Sequence, residues 1–387
     1  MFFFAHIKHV CLLINSLSLP VAAECLVGTF LLAYIILIHQ LKKQDVCNVV
    51  QTEFFMDYKN EYFCDAPCQV GVPCQYQDEV DFRIIVMTFN RNDSLQKCLL
   101  AISRVDTMDK RVAVDIWVDR SRGDEEKKLS PEIHLPTLLV AQEFQRGWKK
   151  GRVCIHEREA NAYIDGQWID TWRPRENTKE IVLILEDDVD VSPQVLRWLE
   201  AVHGQYDRQE DIAGYTLQME GTRFFKGKKG QLKGPKDDNV FLYGVLGTWG
   251  FSPQAKSWAK FQDWYHSKNS TLKPYVPDIV PTRWFKNFEK KGTERSMWEM
   301  WHIYFSYVNN LYTVYCNLHV KYDNNTILLS HNRKEQGLHF GRKRKVSNVR
   351  WDLLMSKWLP EYAAFPVKEV RYSHEGNVLE SGIDNGR

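Results

Sequence analysis

The most constraining feature of the chain is an aliphatic run that ends in three acidic residues, at residues 181–193 (Ile-Val-Leu-Ile-Leu-Glu-Asp-Asp-Val-Asp-Val-Ser-Pro). Five consecutive aliphatic residues are typical of a strand buried on both faces, as in a parallel sheet. Ser192 and Pro193 suit the cap and the first residue of a helix. That helix carries apolar residues at helical spacing: Val195, Leu196, Leu199 and Val202. The acids therefore follow a core strand, where open α/β sheets bind ligands.

The three adjacent carboxylates belong to Glu186, Asp187 and Asp188. They repel one another, and a hard divalent cation with oxygen ligands, such as Mn²⁺ or Mg²⁺, offsets that repulsion and bridges phosphates. A solvated acidic turn is the alternative for such a triplet alone. The buried strand before it and the capped helix after it favour the ligand site.

The folded domain is predicted to begin at Asp81, with a strand over residues 82–89 and a polar loop after it. A helix follows, and its apolar residues are Leu95, Cys98, Leu99 and Ile102. A second strand over residues 112–118 ends at Asp119, and a third, short strand covers 153–155. Strand, helix and strand in this order begin a βαβ unit.

Downstream of the acidic residues, the chain predicts further strands, helices and loops in alternation. Strands are expected at 212–217 and 311–318, helices from Ser252-Pro253 and over 294–309, and loops at 161–172, 223–238 and 330–340. Glu299 lies among aromatic residues on the second helix, which raises a carboxyl pKa and suits a general base. A hydrogen-bonded structural glutamate is an equally good interpretation. His331 and His339, in the last loop, are candidate metal or phosphate ligands, and a surface role is the alternative for each.

Composition limits the partners. The net charge of +2 is too small to indicate a nucleic-acid-binding protein, and we expect no such partner. Thirteen Trp and 17 Tyr suit clefts that stack sugar rings, although aromatic residues also fill cores.

The amino-terminal region predicts a membrane signal anchor at residues 21–40, after a tail of residues 1–20 and before a stem of residues 41–80. A cleaved signal peptide and a buried core helix are the alternatives. Lys42 and Lys43 follow the span, so the positive-inside rule does not support a lumenal carboxyl end. The glycosylation patterns do support a lumenal carboxyl end. Glycosylation patterns begin at Asn92, Asn269 and Asn324.

Cysteine usage also favours a secretory compartment. Cys64, Cys68 and Cys74 cluster before the main domain, and there they predict disulfides. A zinc site fits less well, because a second pair of cysteines at matching spacing is missing and no histidine lies nearby.

Together these motifs resemble a GT-A-fold glycosyltransferase. Residues 85–91 (Ile-Val-Met-Thr-Phe-Asn-Arg) resemble the opening of family-2-like enzymes, and Glu186-Asp187-Asp188 resembles the DxD signature in the EDD form of N-acetylglucosaminyltransferase I. The order and spacing match over about residues 81–205. The segment around Trp249 and the helix that carries Glu299 resemble the acceptor half more loosely.

The resemblance implies a fold and a set of roles. The fold is α/β, a GT-A (Rossmann-like) single catalytic domain at 81–345 with a mainly parallel central sheet, in a nucleotide-sugar half (81–205) and an acceptor half (206–345), followed by an extension at 346–387. Asp188 would hold the metal, Trp249 would lie on the acceptor side, and Glu299, with Glu294 and Asp278 as rivals, would be the base. The expected nucleotide-sugar contacts are Thr88, Asn90, Arg91, Asp119, Glu186 and Asp187.

The function expected from the resemblance is an inverting, manganese-dependent (or magnesium-dependent) glycosyltransferase. It would use a UDP-sugar donor and a glycan, glycoprotein or glycolipid acceptor, as a single-pass type II Golgi membrane protein with a lumenal catalytic domain. A retaining reaction stays open if Glu299 points elsewhere. Two alternatives are a non-catalytic carbohydrate-binding or scaffolding protein on a degenerate GT-A fold, and a nucleotidyltransferase on a similar sheet.

Overall fold

Four parallel strands form the first half of a large central sheet. The computed structural model describes residues 68–121, 134–225, 228–333 and 348–379. The four strands are β1 (Phe82–Thr88), β2 (Val112–Val118), β3 (Arg152–Glu157) and β4 (Ile181–Glu186). Their order is β4-β1-β2-β3. β1 and β2 are buried along their whole length, as expected for strands covered on both faces. The predicted strands before Asn90, Asp119 and Glu186 are present.

Helices connect these strands in the βαβ manner. They are α1 (Asn92–Ser103), α2 (Leu135–Gly147) and α3 (Tyr163–Asp170). The prediction of a loop over residues 161–172 is wrong, because α3 occupies most of it. Trp168 and Ile169 of α3 are fully buried, so tertiary packing overrides the weak helix propensity of this Gly- and Trp-containing segment.

The second half of the sheet is mixed rather than parallel. Its strands are β6 (Ile212–Thr216), β9 (Val240–Tyr243), β10 (Phe251–Pro253), β11 (Tyr312–Cys316), β13 (Arg371–Tyr372) and β14 (Val378–Leu379). β10 lies between β4 and β6 and is antiparallel to both. The expectation of a mainly parallel sheet therefore holds for the first half only. β13 and β14 extend the sheet, so part of the predicted carboxyl-terminal extension belongs to the fold.

Two short antiparallel pairs lie beside the main sheet. β5 (Val189–Val191) pairs with β12 (Ser330–Asn332), and β7 (Gly221–Phe225) pairs with β8 (Lys228–Leu232). The predicted loop at 223–238 is therefore wrong over its first half, where aromatic residues favour a strand. The predicted loop at 330–340 likewise begins as a strand.

The remaining helices begin later than the sequence indicates. They are α4 (Val195–Tyr206), α5 (Ala255–Ser267), α6 (Val280–Glu289), α7 (Glu299–Val308) and α8 (Leu318–Lys321), with short 3-10 helices at Glu294–Ser296 and Pro360–Ala363. Ser192 still caps the turn before α4, since its Oγ accepts a hydrogen bond from the Gln194 amide at 2.9 Å. Gln254, not Ser252, caps α5. The predicted helix over 294–309 is broken before α7.

An aromatic cluster fills the space between the sheet and helices α3, α5 and α7. Trp168 stacks on Trp298 with ring centroids 4.4 Å apart, and Trp258 meets Trp298 edge-on at 6.1 Å. All three indoles are buried. Most tryptophans of this region therefore form core, which is the simpler of the two explanations for their abundance.

The core extends upstream of Asp81. Cys68 and Cys74 form a disulfide, and Cys74 and Tyr76 are buried. Cys154 is also disulfide-bonded, whereas Cys98 and Cys316 are free and buried. The predicted anchor at 21–40, and the stem as far as residue 67, lie outside the described residues. In the part of the chain that is described, no helix has both the length and the apolar character needed to cross a membrane.

Candidate active site

The acidic turn, Glu186-Asp187-Asp188, lies at the carboxyl end of β4 and leads directly into β5. Asp187 and Asp188 are buried, with 0% and 4% of their surface exposed, and Glu186 is half-buried. Three carboxylates withdrawn from water at one strand end are unfavourable unless other groups offset their charge. The partners of each carboxylate therefore decide what the turn can bind.

Asp187 is held by the loop that follows β1. Thr88 Oγ1 donates a hydrogen bond of 2.7 Å to Asp187 Oδ2, and Arg91 Nε donates one of 3.2 Å to the same oxygen. Arg91 Nη2 also pairs with Asp187 Oδ1. The structure thus brings together Thr88, Arg91 and Asp187, three of the predicted nucleotide-sugar contacts. It gives Thr88 and Arg91 a contact with the acidic turn, and their contact with a nucleotide stays a prediction.

Arg333, just after β12, fixes the backbone of the acidic turn. Its Nη2 donates to the Asp187 carbonyl at 2.6 Å, its amide donates to the Asp188 carbonyl at 2.9 Å, and its guanidinium pairs with Asp190. Ser94 Oγ donates to the same Asp187 carbonyl at 2.9 Å. No local sequence pattern predicts the contact of Arg333 with Asp187, from which 146 residues separate it, or the contact of Ser94 with the acidic turn.

The charge on the acidic turn is only partly offset. The pKa of Asp188 is raised to about 7, mainly by burial and also by the charges of Glu186 and Asp187, whereas Arg91 and Arg333 lower it. Burial also raises the pKa of Glu186, again against the effect of Arg91. The pKa values of two carboxyl groups of the turn are thus raised in the protein alone, and a divalent cation would act in the opposite direction.

Glu299 is the first residue of α7, and Trp298 immediately before it stacks on Trp168. The pKa of Glu299 is raised to about 8, mainly by burial and also by the charge of Glu186. Trp168 donates a hydrogen bond to Glu186 and stacks on Trp298, so Glu186 and the start of α7 lie in one region of the molecule. The two rival candidates for the base lie in other elements. Glu294 begins a separate 3-10 helix, and Asp278 lies before α6 with a left-handed backbone (φ 54°).

Asp119 follows β2, and its carboxylate accepts hydrogen bonds from nearby residues. Its Oδ1 accepts the amides of Arg120 and Ala162 at 2.9 and 2.8 Å, and its Oδ2 accepts Asn161 Nδ2 at 3.3 Å. Its amide donates to the Thr88 carbonyl at 2.9 Å, so the ends of β1 and β2 meet. Burial raises the pKa of Asp119 to about 6.

The other predicted site residues lie at the two ends of this region. Asn90 Oδ1 is buried, and no donor from the described residues reaches it. Trp249 is half-buried between Gly247 and Gly250, and its carbonyl accepts Ser330 Oγ at 3.0 Å. His339, the second predicted metal ligand, lies outside the described residues.

A second set of potential ligands, Asp115, Cys154 and His156, has donor atoms within 4.8 Å of one another. Cys154 is disulfide-bonded and cannot offer a thiolate. Asp115 is already paired with Arg83 at 2.5 Å and with His156 Nε2 at 2.7 Å. This set is therefore a structural network of paired side chains.

No protein-family model matches the chain, and no curated protein matches it. Solved structures do show similarity. The mannosyltransferase PcManGT from Pyrobaculum calidifontis, in complex with GDP-Man and Mn²⁺, is 13% identical over 43% of this chain and 42% of its own, with a TM-score of 0.25. TarS of S. aureus in complex with UDP is 15% identical over 58% of this chain and 55% of its own, with a TM-score of 0.34.

TarS in complex with UDP-GlcNAc is 12% identical, with a TM-score of 0.31 over 55% of this chain and 66% of its own. The chain thus spans less than two thirds of the length of each of these neighbours. All three TM-scores lie below 0.5, so the function proposed below is argued from the residues of the site.

Proposed function

We propose that this protein is a metal-dependent glycosyltransferase of the GT-A type, which transfers a sugar from a UDP-sugar to a hydroxyl of a glycan, glycoprotein or glycolipid. The observation that carries the proposal is the acidic turn. Thr88 and Arg91 hold one carboxylate, Asp187, while burial raises the pKa of both Glu186 and Asp188 at the same strand end. Such a turn at the end of a parallel strand suits a cation and a diphosphate.

The donor set fits Mn²⁺ or Mg²⁺. Both prefer carboxylate oxygen, and Asp188, with Glu186 beside it, supplies that ligand type. When bound, the cation supplies Lewis-acid stabilisation of the leaving diphosphate. Asp188 is the proposed ligand, and His339 is a further proposed ligand from the sequence alone.

The chain's own residues would bind and orient the donor. Thr88 and Arg91 hold Asp187 and so fix the turn. The strand ends around Asn90 and Asp119 suit the nucleotide, since Asn90 Oδ1 is buried without a donor from the described residues. The choice of uracil as the base rests on the sequence resemblance.

Glu299 is the proposed general base. The acceptor oxygen forms a bond to the anomeric carbon, the bond from that carbon to the diphosphate oxygen breaks, and Glu299 takes the acceptor proton. A base on the face opposite the leaving group gives inversion, and the assignment of Glu299 to that face rests on the sequence resemblance. A retaining reaction is the alternative if Glu299 does not face the acceptor.

We further propose a Golgi location with the catalytic domain in the lumen. The Cys68–Cys74 disulfide supports an oxidising compartment. The single-pass type II topology rests on the sequence of residues 21–40.

UDP binding by the full-length protein tests the proposed function. Calorimetric titrations would use wild type and Asp188→Ala, each with Mn²⁺ and with EDTA, and GDP and CMP as competing nucleotides. We expect Mn²⁺-dependent UDP binding that Asp188→Ala abolishes. A folded wild type that binds none of the three nucleotides in Mn²⁺ would overturn the proposal and favour the carbohydrate-binding alternative.

A further inference from the structure

Three segments of the chain match the acceptor pattern for N-linked glycosylation, and the structure gives them different surroundings. Two of them lie in turns between elements. The turn of residues 269–271 follows α5, and the turn of residues 324–326 lies between α8 and β12. All six residues of these turns are exposed, so both asparagines are open to a bulky, solvated substituent.

Both exposed turns hold their asparagine in the same local geometry. Asn269 Oδ1 accepts hydrogen bonds from the amide and from Oγ1 of Thr271, each at 2.9 Å. Asn324 Oδ1 accepts the equivalent pair from Thr326, at 2.9 and 2.8 Å. These are Asx turns, in which the side-chain oxygen binds the backbone two residues further on. Within the described ranges nothing accepts a hydrogen bond from either Nδ2, so this atom of each asparagine is the one left for a bond to another group.

The reacting atom in N-linked glycosylation is this side-chain nitrogen. Nδ2 forms a bond to the anomeric carbon of a lipid diphosphate-linked oligosaccharide and loses a proton, the bond from that carbon to the diphosphate oxygen breaks, and the lipid diphosphate leaves. An enzyme of the host cell carries out this step on the translocating chain. Because the step precedes folding, the folded structure decides which glycans the native protein accommodates.

The third segment, residues 92–94, has different surroundings. Asn92 is the first residue of α1, and its Nδ2 donates to Asp93 Oδ1 at 3.0 Å. Ser94, the last residue of the pattern, is 1% exposed. Its Oγ donates to the Asp187 carbonyl at 2.9 Å and accepts from Arg333 Nη2 at 3.0 Å. The hydroxyl thus binds the acidic turn rather than Asn92, and a glycan on Asn92 would stand on the helical turn that packs against the acidic turn.

We propose that Asn269 and Asn324 each carry an N-linked glycan in the native protein and that Asn92 carries none. This inference rests on the proposed lumenal location and not on the transferase chemistry, and it goes beyond both because it names the modified atoms. The sequence pattern alone treats the three asparagines alike, since it contains no information on exposure or on the partners of Ser94.

Mass spectrometry of each asparagine tests the assignment directly on the wild-type protein. The full-length chain is produced in a eukaryotic secretory host, purified as folded protein, and treated in heavy-oxygen water with an amidase that removes N-linked glycans. Each glycosylated asparagine then becomes an isotope-labelled aspartate. We expect the label at residues 269 and 324 and none at residue 92.

Gel mobility of the variants gives a second measurement. Asn269→Gln and Asn324→Gln should each remove one step of the mobility shift that the amidase produces, and the double variant should remove the whole shift. Asn92→Gln should leave the shift unchanged. Ser270→Ala and Asn325→Gln are the matched controls, because each changes the middle residue of one turn, keeps the acceptor pattern and should keep both glycans.

A label at residue 92, or its absence at either 269 or 324, would overturn this inference. Mn²⁺-dependent UDP binding by the same preparation separates it from the proposed function. A wild type that carries no glycan and still binds UDP would overturn this inference and the lumenal location, and would leave the transferase proposal intact. A wild type with both expected glycans that binds no nucleotide would support this inference and count against the transferase.

Discussion

The indole nitrogen of Trp168 donates a hydrogen bond of 3.0 Å to Oε1 of Glu186. The same indole stacks on Trp298, with ring centroids 4.4 Å apart and an interplanar angle of 19°. Trp298 immediately precedes Glu299, the proposed base. One buried tryptophan thus contacts both the acidic turn and the start of α7, so it fixes how the proposed cation site lies relative to the proposed base.

Trp168→Phe should separate these two roles. Phenylalanine keeps a ring against Trp298 but removes the hydrogen bond to Glu186, so the Glu186 carboxylate loses a donor that favours its charged form. We expect Mn²⁺ affinity to fall roughly 10- to 100-fold, as for other groups that orient a metal ligand. Calorimetric titration with Mn²⁺ measures the change.

Trp258→Phe is the matched control for this prediction. Trp258 belongs to the same aromatic cluster, but its indole nitrogen donates to the Trp172 carbonyl at 3.2 Å rather than to an acid. Equal losses of Mn²⁺ affinity in the two variants would show that packing, and not the Glu186 hydrogen bond, is responsible.

Glu299→Gln should abolish proton transfer and spare donor binding. We expect kcat to fall about 10²- to 10⁴-fold, the usual contribution of a general base, with UDP affinity within about twofold of wild type. Because the pKa of Glu299 is about 8 in the protein alone, wild-type kcat/KM should rise with pH as the carboxylate forms. A cation that offsets the charge of Glu186 should move this rise to lower pH.

Glu294→Gln and Asp278→Asn test the two rival bases in the same assay. Both variants should retain the pH-dependent rise and most of the activity. If either one loses activity as completely as Glu299→Gln, the assignment of the base is wrong.

Thr88→Val should destabilise the protein through Asp187. The substitution preserves shape but removes the 2.7 Å hydrogen bond to a buried carboxylate. Hydrogen bonds to charged groups contribute about 1.5–3 kcal/mol, so we expect a loss of that size in the free energy of unfolding, measured with urea. Thr88→Ser keeps the hydroxyl, so its free energy of unfolding should fall by less than half as much. An equal loss in Thr88→Val and Thr88→Ser would indicate that the methyl group matters instead.

Local patterns were sufficient to predict the core of the first half of the sheet. The aliphatic runs before Asn90 and Asp119 are strands buried along their whole length, and the run before Glu186 is a strand buried over residues 182–185. A buried strand of this kind can be recognised without knowledge of its partners. Because parallel strands end at one edge, the meeting of Thr88, Asp119 and Asp187 also followed from the chain order.

Long-range contacts explain what the sequence did not predict. Arg333 contacts Asp187 across 146 residues, and β12 pairs with β5 across a similar separation, so neither contact has a local signal. The helix α3 forms because Trp168 packs in the core, although its segment has the composition of a loop. The antiparallel insertion of β10 between β4 and β6 likewise depends on tertiary pairing.

Asp188→Asn should stabilise the protein in the absence of metal, and do so more as the pH rises. The pKa of Asp188 is raised from 3.8 to about 7, so the folded protein holds a proton that the unfolded chain releases. The stability of wild type therefore falls as the pH rises from about 4 through 7. Asparagine mimics the neutral form of Asp188. We therefore expect the free energy of unfolding to rise by roughly 2–4 kcal/mol at pH 8 and to change little at pH 4.

Urea unfolding at pH 5 and pH 8, with EDTA and with Mn²⁺, measures how the stability of each variant depends on pH and on the metal. Mn²⁺ should stabilise wild type and leave Asp188→Asn unchanged, because a cation that binds only the folded state shifts its stability by mass action. Asp237→Asn, at an exposed position, should change stability little under any of these conditions. A variant at Asp188 that is destabilised equally at both pH values would show that the carboxyl group is charged and satisfied within the fold, and the acidic turn would then have no need of a cation.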